Sequence, residues 1–408
     1  MDYIKLGWRN LRRNARRSAV TVLAIAFGYA AINLFSGYIH NVYAGLAEQS
    51  IKGERLGHLI LAQRGAFDEG KLEPGKYVFS GAEFARISAL LAHDADVELV
   101  ALKLALNGLI SNGTASTIFI GEGLDPVVTR RLNGSFGRAL GAQLDPARPA
   151  AGVVASDLAR LMKLDAGAVA VLLTSTLSGQ TNALDLEIGG LFNTGNAGTN
   201  DKFLLLPLTY VQRLLDTDGG DRIIVLLKDT SRVETARGRI AGALAAAGLD
   251  LELRSWRELS AFYEQVKTVF DMIFTFMVSI VLVVVLTSIV NTMSMSIVER
   301  TREIGTLRAL GMNRAQVVTL FAAEALLLVA AGGLAGTLVT LFAMWAVNRA
   351  ELSYVPPNIS YSVFLQVDFV PDVMVLALLL LALVACAAAL LPASRAARLS
   401  IVDALGHV

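Results

Sequence analysis

The amino-acid sequence predicts a membrane α-helical protein with four transmembrane helices and a large extracytoplasmic α+β domain inserted between helices 1 and 2. The 408 residues are 54% hydrophobic and only 17% charged, whereas soluble domains carry about 25% charged residues. Four uncharged stretches are long enough to cross a bilayer, which takes about 20 helical residues. The insert follows from their spacing, because about half of the chain separates the first stretch from the second.

The ends of these stretches divide the chain into membrane and soluble segments. The first stretch is longer than the apolar run of a cleaved signal peptide, which has about 7–15 residues, so we expect an uncleaved span. The predicted segments are a cytoplasmic amphipathic helix over residues 1–17, a first span over 18–43, an outer domain over 44–267, a second span over 268–297, a cytoplasmic helix over 298–314, a third span over 315–348, a short outer loop over 349–371, a fourth span over 372–392 and a cytoplasmic tail over 393–408.

Basic residues predict the orientation, since cytoplasmic segments carry an excess of lysine and arginine close to the spans. Acidic residues instead dominate the loop between the third and fourth spans. The basic residues that flank the spans on the other side are Lys5, Arg9, Arg12, Arg13, Arg16, Arg17, Arg300, Arg302, Arg308, Arg314, Arg395 and Arg398. We therefore expect both termini and residues 298–314 in the cytoplasm and the large domain outside. That domain has no basic stripe, so no nucleic-acid partner is expected.

The outer domain reads as α+β. Apolar runs bounded by turn residues predict strands, and one strand–helix–strand unit is predicted over Ile223–Lys228, Arg232–Ala247 and Asp250–Arg254. A hydroxyl residue followed three positions later by an acid is typical of a helix N-terminus. Three such capping boxes are predicted, at Ser80 with Glu83, at Ser231 with Glu234 and at Ser255 with Glu258.

Two of the membrane helices are predicted to be unusually long. The first uncharged stretch has about 30 residues, or about 45 Å of helix, against a hydrocarbon core of about 30 Å. The helix that begins at Trp256 has no clear stop before the second span. Both helices are expected to extend beyond the membrane, and the alternative is that tilt absorbs the excess length.

The segment from Val298 to Phe321 predicts a short amphipathic helix between two spans. Ile297, Ile304, Leu307 and Leu310 recur at helical spacing, Gly311 is a natural helix stop, and Asn313 with Gln316 forms a capping box for the next helix. One interpretation is a helix that lies on lipid. The other is a docking helix for a cytoplasmic partner, because Glu299 and Glu303 suit arginines on a protein better than anionic lipid.

These residues resemble a known family. The sequence REIGTLRALG, followed by MNRAQVVTLFAAEALLL, is similar to the FtsX-like permease domain of ABC transporters of the MacB and Lol type. The N-terminal WRNLRRNARRSAVTVLAIAFG and the C-terminal LPASRAARLSIVDAL resemble the start and the end of the same family. The outer segment GVVASDLARLMKLDAGAVAVLL looks like the MacB-like periplasmic core domain, closest to that of the Lol lipoprotein-releasing branch.

The resemblance implies a non-catalytic permease subunit in a bacterial inner membrane. Such permeases pair as homo- or heterodimers and bind a cytoplasmic ABC ATPase dimer through the loop helix. No G-x-x-x-x-G-K-[ST] loop occurs in the sequence, so this chain is expected to bind no cofactor, with ATP and Mg on the partner ATPase. The ATPase-coupling candidates carried over are Glu299, Arg300, Glu303, Ile304, Gly305, Leu307, Arg308 and Gly311.

The resemblance also implies mechanotransmission, in which ATP hydrolysis inside drives domain motion in the periplasm. Release of lipoproteins from the inner membrane is the first cargo hypothesis. Efflux of peptides or small molecules with a periplasmic adaptor, and FtsX-like activation of a cell-wall hydrolase, are the alternatives. The stretch Thr174–Ala183 is short and lacks proline, unlike the hook loop of permeases that recruit a lipoprotein chaperone, which argues against recruitment by this subunit.

Smaller features complete the prediction. Gly332 and Gly336 form a small-x-x-x-small pair, which is typical of close helix packing, and we expect it within the subunit rather than at a dimer seam. Glu324 is an ionisable residue near the inner end of the third span, with a buried polar contact or snorkelling to the headgroups as alternatives. The sequence shows no nucleophile–base set and no pair of histidines at metal-ligand spacing.

Overall fold

The computed structural model describes Arg9, Asn10, Arg13 and residues 15–70 and 73–398, apart from the side chains of residues 134–139. Most of the predicted N-terminal helix over 1–17, and residues 399–408 of the predicted tail, lie outside the described residues. The described chain divides into two compact units. A helical unit comprises residues up to Tyr43, Val266–Ser353 and the chain from Phe364 onward, and a domain unit comprises Ala44–Gln265 and Tyr354–Val363.

Among the residues that the structure describes, four long apolar helices are each long enough to cross a membrane. They are α1 (Ala15–Glu48), α8 (Ala261–Glu299), α10 (Arg314–Ala350) and α11 (Pro371–Arg398). Their shared core contains buried side chains such as Ile25, Ile289, Phe321 and Leu381. Large apolar side chains on the opposite faces, such as Phe276 and Phe342, are 68% exposed. Apolar residues both inside and outside are what a bundle surrounded by lipid requires.

The domain unit is built around a nine-stranded sheet. Its elements in chain order are a π-turn (Gln49–Gly53), β1 (Leu59–Gln63), a 3₁₀ turn (Pro74–Tyr77), α2 (Gly81–Leu91), β2 (Val97–Ser111), β3 (Ser116–Leu124), α3 (Pro126–Ala139), β4 (Ala151–Ala155), α4 (Ser156–Met162), β5 (Val169–Ser175), β6 (Thr181–Phe192), β7 (Phe203–Pro207), α5 (Leu208–Leu215), β8 (Arg222–Leu227), a 3₁₀ turn (Thr230–Arg232), α6 (Val233–Ala246), β9 (Leu251–Ser255) and α7 (Trp256–Leu259).

One lobe of this domain contains the predicted strand–helix–strand unit as β8, α6 and β9. The strands lie in the order β2-β8-β1-β9, and β1 is antiparallel to both β8 and β9. Residues Leu59, Phe79, Ile87, Val225 and Ile240 form the core between this sheet and the helices α2 and α6.

The other lobe is a ring of six strands. From β3 the order runs β7, β4, β6, β5 and β2, and β2 closes the ring because it pairs with β3 over Leu104–Ser111 and with β5 over Leu109–Ser111. The long strand β2 therefore belongs to both lobes, since its first half pairs with β8. A closed ring has no free sheet edge.

The structure corrects two local predictions. The helix expected from Trp256 into the second span is broken at Ser260, so that α7 and α8 are separate helices. The capping boxes at Ser80 and Ser255 are present. The predicted box at Ser231 was wrong, because the carboxylate of Asp229 accepts the N–H of Ser231 and caps a 3₁₀ turn instead.

The outer loop between the third and fourth spans was predicted as a separate short segment over 349–371. The structure places two short strands there, β10 (Ser353–Tyr354) and β11 (Val363–Phe364), which pair with each other. The tip of the loop belongs to the domain unit. It is held there by Asn193, whose amide donates to the carbonyl of Ser360 at 2.9 Å, and by Gly195, whose carbonyl accepts the N–H of Ser360 at 3.3 Å.

Candidate functional site

The short helix predicted between the second and third spans is α9 (Thr301–Ala309). It begins directly after α8, with Arg300 as the only intervening residue. It ends before Gly311, whose φ of +102° is a left-handed conformation that glycine adopts at little cost. Asn313 and Gln316 then form the predicted capping box of α10. The chain thus forms a helix–turn–helix, in which α9 is a separate short helix between the membrane helices α8 and α10.

Only part of the predicted apolar face of α9 is buried. Ile304 is 5% exposed and Gly305 is also buried, whereas Leu307 is half-buried. Leu310 was predicted on the same face, yet its side chain is 80% exposed, because the helix has already ended at Ala309.

The acidic residues of this segment have partners within the chain. Arg13 donates to the Glu303 carboxylate at 2.7 Å, and Arg300 donates to its other oxygen at 3.0 Å. Glu299 accepts from Arg17 at 3.0 Å. The hydrogen bond from Arg13, together with that from Arg300, holds the pKa of Glu303 below its usual range. The sequence predicted that Glu299 and Glu303 would contact arginines of a partner protein. In the structure they contact Arg17 and Arg13 of the N-terminal segment instead.

Glu324 lies in the third turn of α10 and is only 1% exposed. Arg300 donates to its Oε1 from Nη1 at 2.9 Å, and the amide of Asn10 donates to the same oxygen. Arg300 is itself buried. The structure therefore favours the buried polar contact for Glu324 and contradicts snorkelling.

The two glycines of the third span pack against the first helix of the same chain. A Cβ at Gly332 would lie 2.5 Å from a side-chain atom of Ile25, and one at Gly336 would lie 2.7 Å from the carbonyl oxygen of Ala26. Neither position has room for a larger residue, so α1 and α10 approach each other closely here.

The predicted coupling residues thus fall into two groups. Arg300, Ile304 and Gly305 are buried and lie against the helical unit, so they have little surface to offer a partner. Glu299, Glu303 and Gly311 are exposed, and Leu307 and Arg308 are half-buried. Leu310 was not predicted as a surface residue, and Arg13 and Arg17 were not predicted as partners of the acids. The sequence did hold one signal for this pairing, because the two arginines and the two acids were all predicted to lie on the cytoplasmic side.

The domain unit holds another cluster of charges. Glu122 is buried and forms ion pairs with Arg55 and Lys103. Burial raises the pKa of Glu122, but the two cations outweigh it and hold that pKa below its usual value. Arg55 and Lys103 also line a cavity of about 260 Å³. Because Glu122 is buried between two cations of the same domain unit and both pair with it, we interpret the cluster as structural. Among the described residues, no group of three or more His, Cys, Asp or Glu side chains could hold a metal ion.

Two family profiles match the chain. The profile described as "MacB-like periplasmic core domain" matches residues 18–243, and the profile described as "FtsX-like permease C-terminal" matches residues 275–401. The first covers more than half of the chain. The second contains α9, the turn at Gly311 and both glycines of the third span.

Curated relatives carry two kinds of name. The macrolide export ATP-binding/permease protein MacB of Hyphomonas neptunium is 27% identical over 82% of this chain. The lipoprotein-releasing system transmembrane protein LolC of Xylella fastidiosa is 24% identical over 62% of it. The chain spans 52% of the length of the former and 64% of the latter. The outer segment was predicted to lie nearest to the Lol branch, yet the MacB protein matches more of the chain at higher identity.

Among solved structures, the periplasmic region of MacB from Actinobacillus actinomycetemcomitans aligns with 53% of this chain. The alignment covers 94% of that structure, with 10% identity and a TM-score of 0.37.

Proposed function

Because the chain belongs to the family of permeases that carry a MacB-like periplasmic core domain and an FtsX-like permease domain, we propose that it is the permease subunit of an ABC transporter that couples ATP hydrolysis on a separate cytoplasmic subunit to motion of its outer domain. The observation that carries this proposal is the helix–turn–helix of α9 and α10. It is stabilised by contacts within the chain and still exposes Leu310.

The proposed docking surface consists of the accessible part of the turn and of α9. It is formed by Glu299, Glu303, Leu307, Arg308, Leu310 and Gly311. Leu310 is its apolar centre, because its side chain is almost fully exposed beside charged neighbours, and a central apolar anchor with a polar rim is typical of protein interfaces. In this proposal the chain itself performs no catalysis, and ATP and Mg bind to the partner ATPase.

The proposed setting is a bacterial inner membrane with both termini in the cytoplasm and the large domain in the periplasm. The basic residues before the first span and around α9 support this orientation. Two permease chains, identical or different, would bind an ATPase dimer. Work would then be done at the periplasmic face by the outer domains.

Two cargo classes are supported by different observations. Lipoprotein release is supported by the LolC relative, of which the chain spans the larger share. Export of small molecules or peptides through a periplasmic adaptor is supported by the MacB relative, which matches more of this chain. The stretch Thr174–Ala183, predicted to lack a hook loop, does not favour chaperone recruitment, because it forms a tight hairpin between β5 and β6 in which the N–H of Thr176 donates to the carbonyl of Gln180 at 2.7 Å.

The docking proposal predicts the effect of Leu310→Glu. A carboxylate at the apolar centre of an interface would have to be desolvated on binding. We expect the variant to insert normally, to lose copurification with the partner ABC ATPase, and to lower permease-stimulated ATP hydrolysis by at least about tenfold, as loss of a central interface residue does.

The matched control is Leu161→Glu. Leu161 is also a largely exposed leucine, at 63%, but it lies on α4 of the domain unit. The control variant should bind and stimulate the ATPase as the parent does. Normal stimulation in Leu310→Glu would show that this turn is not the docking surface.

A further inference from the structure

The turn between α9 and α10 has the geometry of a hinge. Residues 310–313 separate the two helices, and Gly311 has a φ that only glycine adopts readily. Nothing in the covalent chain fixes the angle between a nine-residue helix and a following helix across such a turn. The angle must therefore be set by contacts farther from the hinge.

One contact lies at the open end of this angle. Arg300 is at the start of α9, about 14 Å of helix from the turn, and Glu324 is ten residues into α10, about 15 Å from it. Their ion pair at 2.9 Å joins the two helices at nearly equal distances from the hinge. Because Arg300 also follows the last residue of α8, the pair fixes the junction of α8 and α9 to the third span.

The burial of this pair separates it from the other charges of the segment. The side chain of Arg300 is 7% exposed and that of Glu324 is 2% exposed, whereas Glu303, the other partner of Arg300, is 44% exposed. Exposed pairs contribute little because water and salt screen them, while a buried pair in good geometry resists separation, since opening it leaves an uncompensated charge. Asn10 donates a further hydrogen bond to the buried carboxylate.

We propose that Glu324 is a positioning residue, and that its ion pair with Arg300 is a brace that makes α9 and α10 move as one body. This role rests on the proposed function: when the ATPase displaces the docking helix, the brace would transmit that displacement to the third span. Without it, α9 would be held near α10 mainly by the packing of Ile304 in the helical core, and part of the displacement would be lost by rotation about Gly311. The docking surface itself contains neither residue.

The test compares Glu324→Gln with Glu303→Gln. Each variant removes one of the two carboxylates paired with Arg300, the first a buried one and the second an exposed one. Nitroxide labels at Arg302→Cys and Phe342→Cys, introduced together with Cys386→Ser, report the distance between the start of α9 and the body of α10. All three substituted positions lie outside the brace, and Arg302 and Phe342 are exposed.

In liposomes without the ATPase, we expect one narrow distance distribution for the parent and for Glu303→Gln. For Glu324→Gln we expect a broad distribution displaced by at least about 5 Å, one helical turn. Glu324→Asp, which keeps the carboxylate, should restore the narrow distribution. If Glu324→Gln fails to insert, Arg300→Gln removes the same pair and should give the same broadening.

The same labels measured with the ATPase trapped by vanadate test transmission. The parental distance should not change on trapping, and that of Glu324→Gln should. An unchanged, narrow distribution in Glu324→Gln would overturn the brace. If the parental chain does not bind the ATPase at all, the proposed function fails, whereas the measurement without ATPase still decides whether the pair fixes the angle.

Discussion

At the scale of single residues, His58 shows how burial sets a protonation state. It is 5% exposed. Its Nδ1 accepts the N–H of Leu227 at 3.0 Å, and its Nε2 lies 2.8 Å from the hydroxyl of Thr230. Accepting a backbone N–H requires an unprotonated Nδ1. Burial, aided by the positive charge of Lys52 and opposed by Asp229, lowers the pKa of His58 to about 4.

This predicts an acid-sensitive domain unit. Above about pH 6.5 the imidazole is neutral in both the folded and the unfolded chain. Between about pH 6.5 and pH 4 the unfolded chain binds a proton that the folded chain does not. The free energy of unfolding therefore decreases by roughly 3 kcal/mol as the pH is lowered through this range, and this contribution levels off below pH 4. His58→Asn should lose this increment.

The measurement is the thermal midpoint reported by tryptophan fluorescence, to which the buried Trp256 of the domain unit contributes, in the detergent-solubilised chain from pH 7.5 to pH 4. Carboxylates contribute their own acid dependence to both proteins, so the difference between parent and variant isolates the histidine. Parallel pH profiles for the two proteins would contradict the prediction.

Local signals in the sequence predicted local features well. The capping box of Asn313 and Gln316 and the stop at Gly311 are present because each depends on residues within one helical turn. The partner of Glu303 could not be predicted in this way, because Arg13 lies 290 positions away. A surface charge pattern is compatible with many partners, and only the packing of the helices selects one.

At the scale of elements, the contact between α1 and α10 depends on small residues. Gly332 brings the two helices close enough that Ile25 occupies the space of a side chain. The sequence predicted close packing from the glycine spacing but could not name the partner helix, because any of the other three spans satisfies a small-x-x-x-small surface. Similarly, the break at Ser260 was missed because Ser255 and Glu258 begin a helix without specifying its length.

Gly332→Leu should therefore destabilise the helical unit. The added side chain would overlap Ile25, and overpacking of this kind costs about 1–3 kcal/mol. Gly45→Leu is the control, since Gly45 lies in α1 and no atom of the described residues would lie within 4 Å of a Cβ placed there. We expect a lower melting temperature by fluorescence-detected size exclusion for Gly332→Leu only. Equal melting temperatures for both variants would show that the contact between α1 and α10 accommodates the larger side chain without loss of stability.

At the scale of the whole molecule, composition and span spacing predicted the order of one helix, an inserted domain and three helices. They did not predict that β2 is shared between two lobes or that six strands close into a ring. Those features depend on strand register between distant residues, such as Leu109 with Leu173. Hydrophobic alternation within one strand tells which face is buried but not which strand lies beside it.

The ring carries an exposed apolar stripe across neighbouring strands. Leu109 pairs with Ile118 on β3 and with Leu173 on β5, and these side chains are 41%, 65% and 39% exposed. Val169 and Val171 continue the stripe along β5. Contiguous apolar surface on a domain that faces water is typical of a binding site, and its chemistry suits an acyl chain.

Under the lipoprotein-release proposal, photo-crosslinking amino acids at Ile118 and Val169 should capture acylated proteins in cells, identified by mass spectrometry. The control position is Leu161, which is as exposed but lies on a helix outside the stripe. Capture of an adaptor protein at the stripe would instead indicate efflux, and capture of a cell-wall hydrolase would indicate hydrolase activation. Either result would overturn lipoprotein release while leaving the brace and the docking turn intact, because both of those lie within the helical unit.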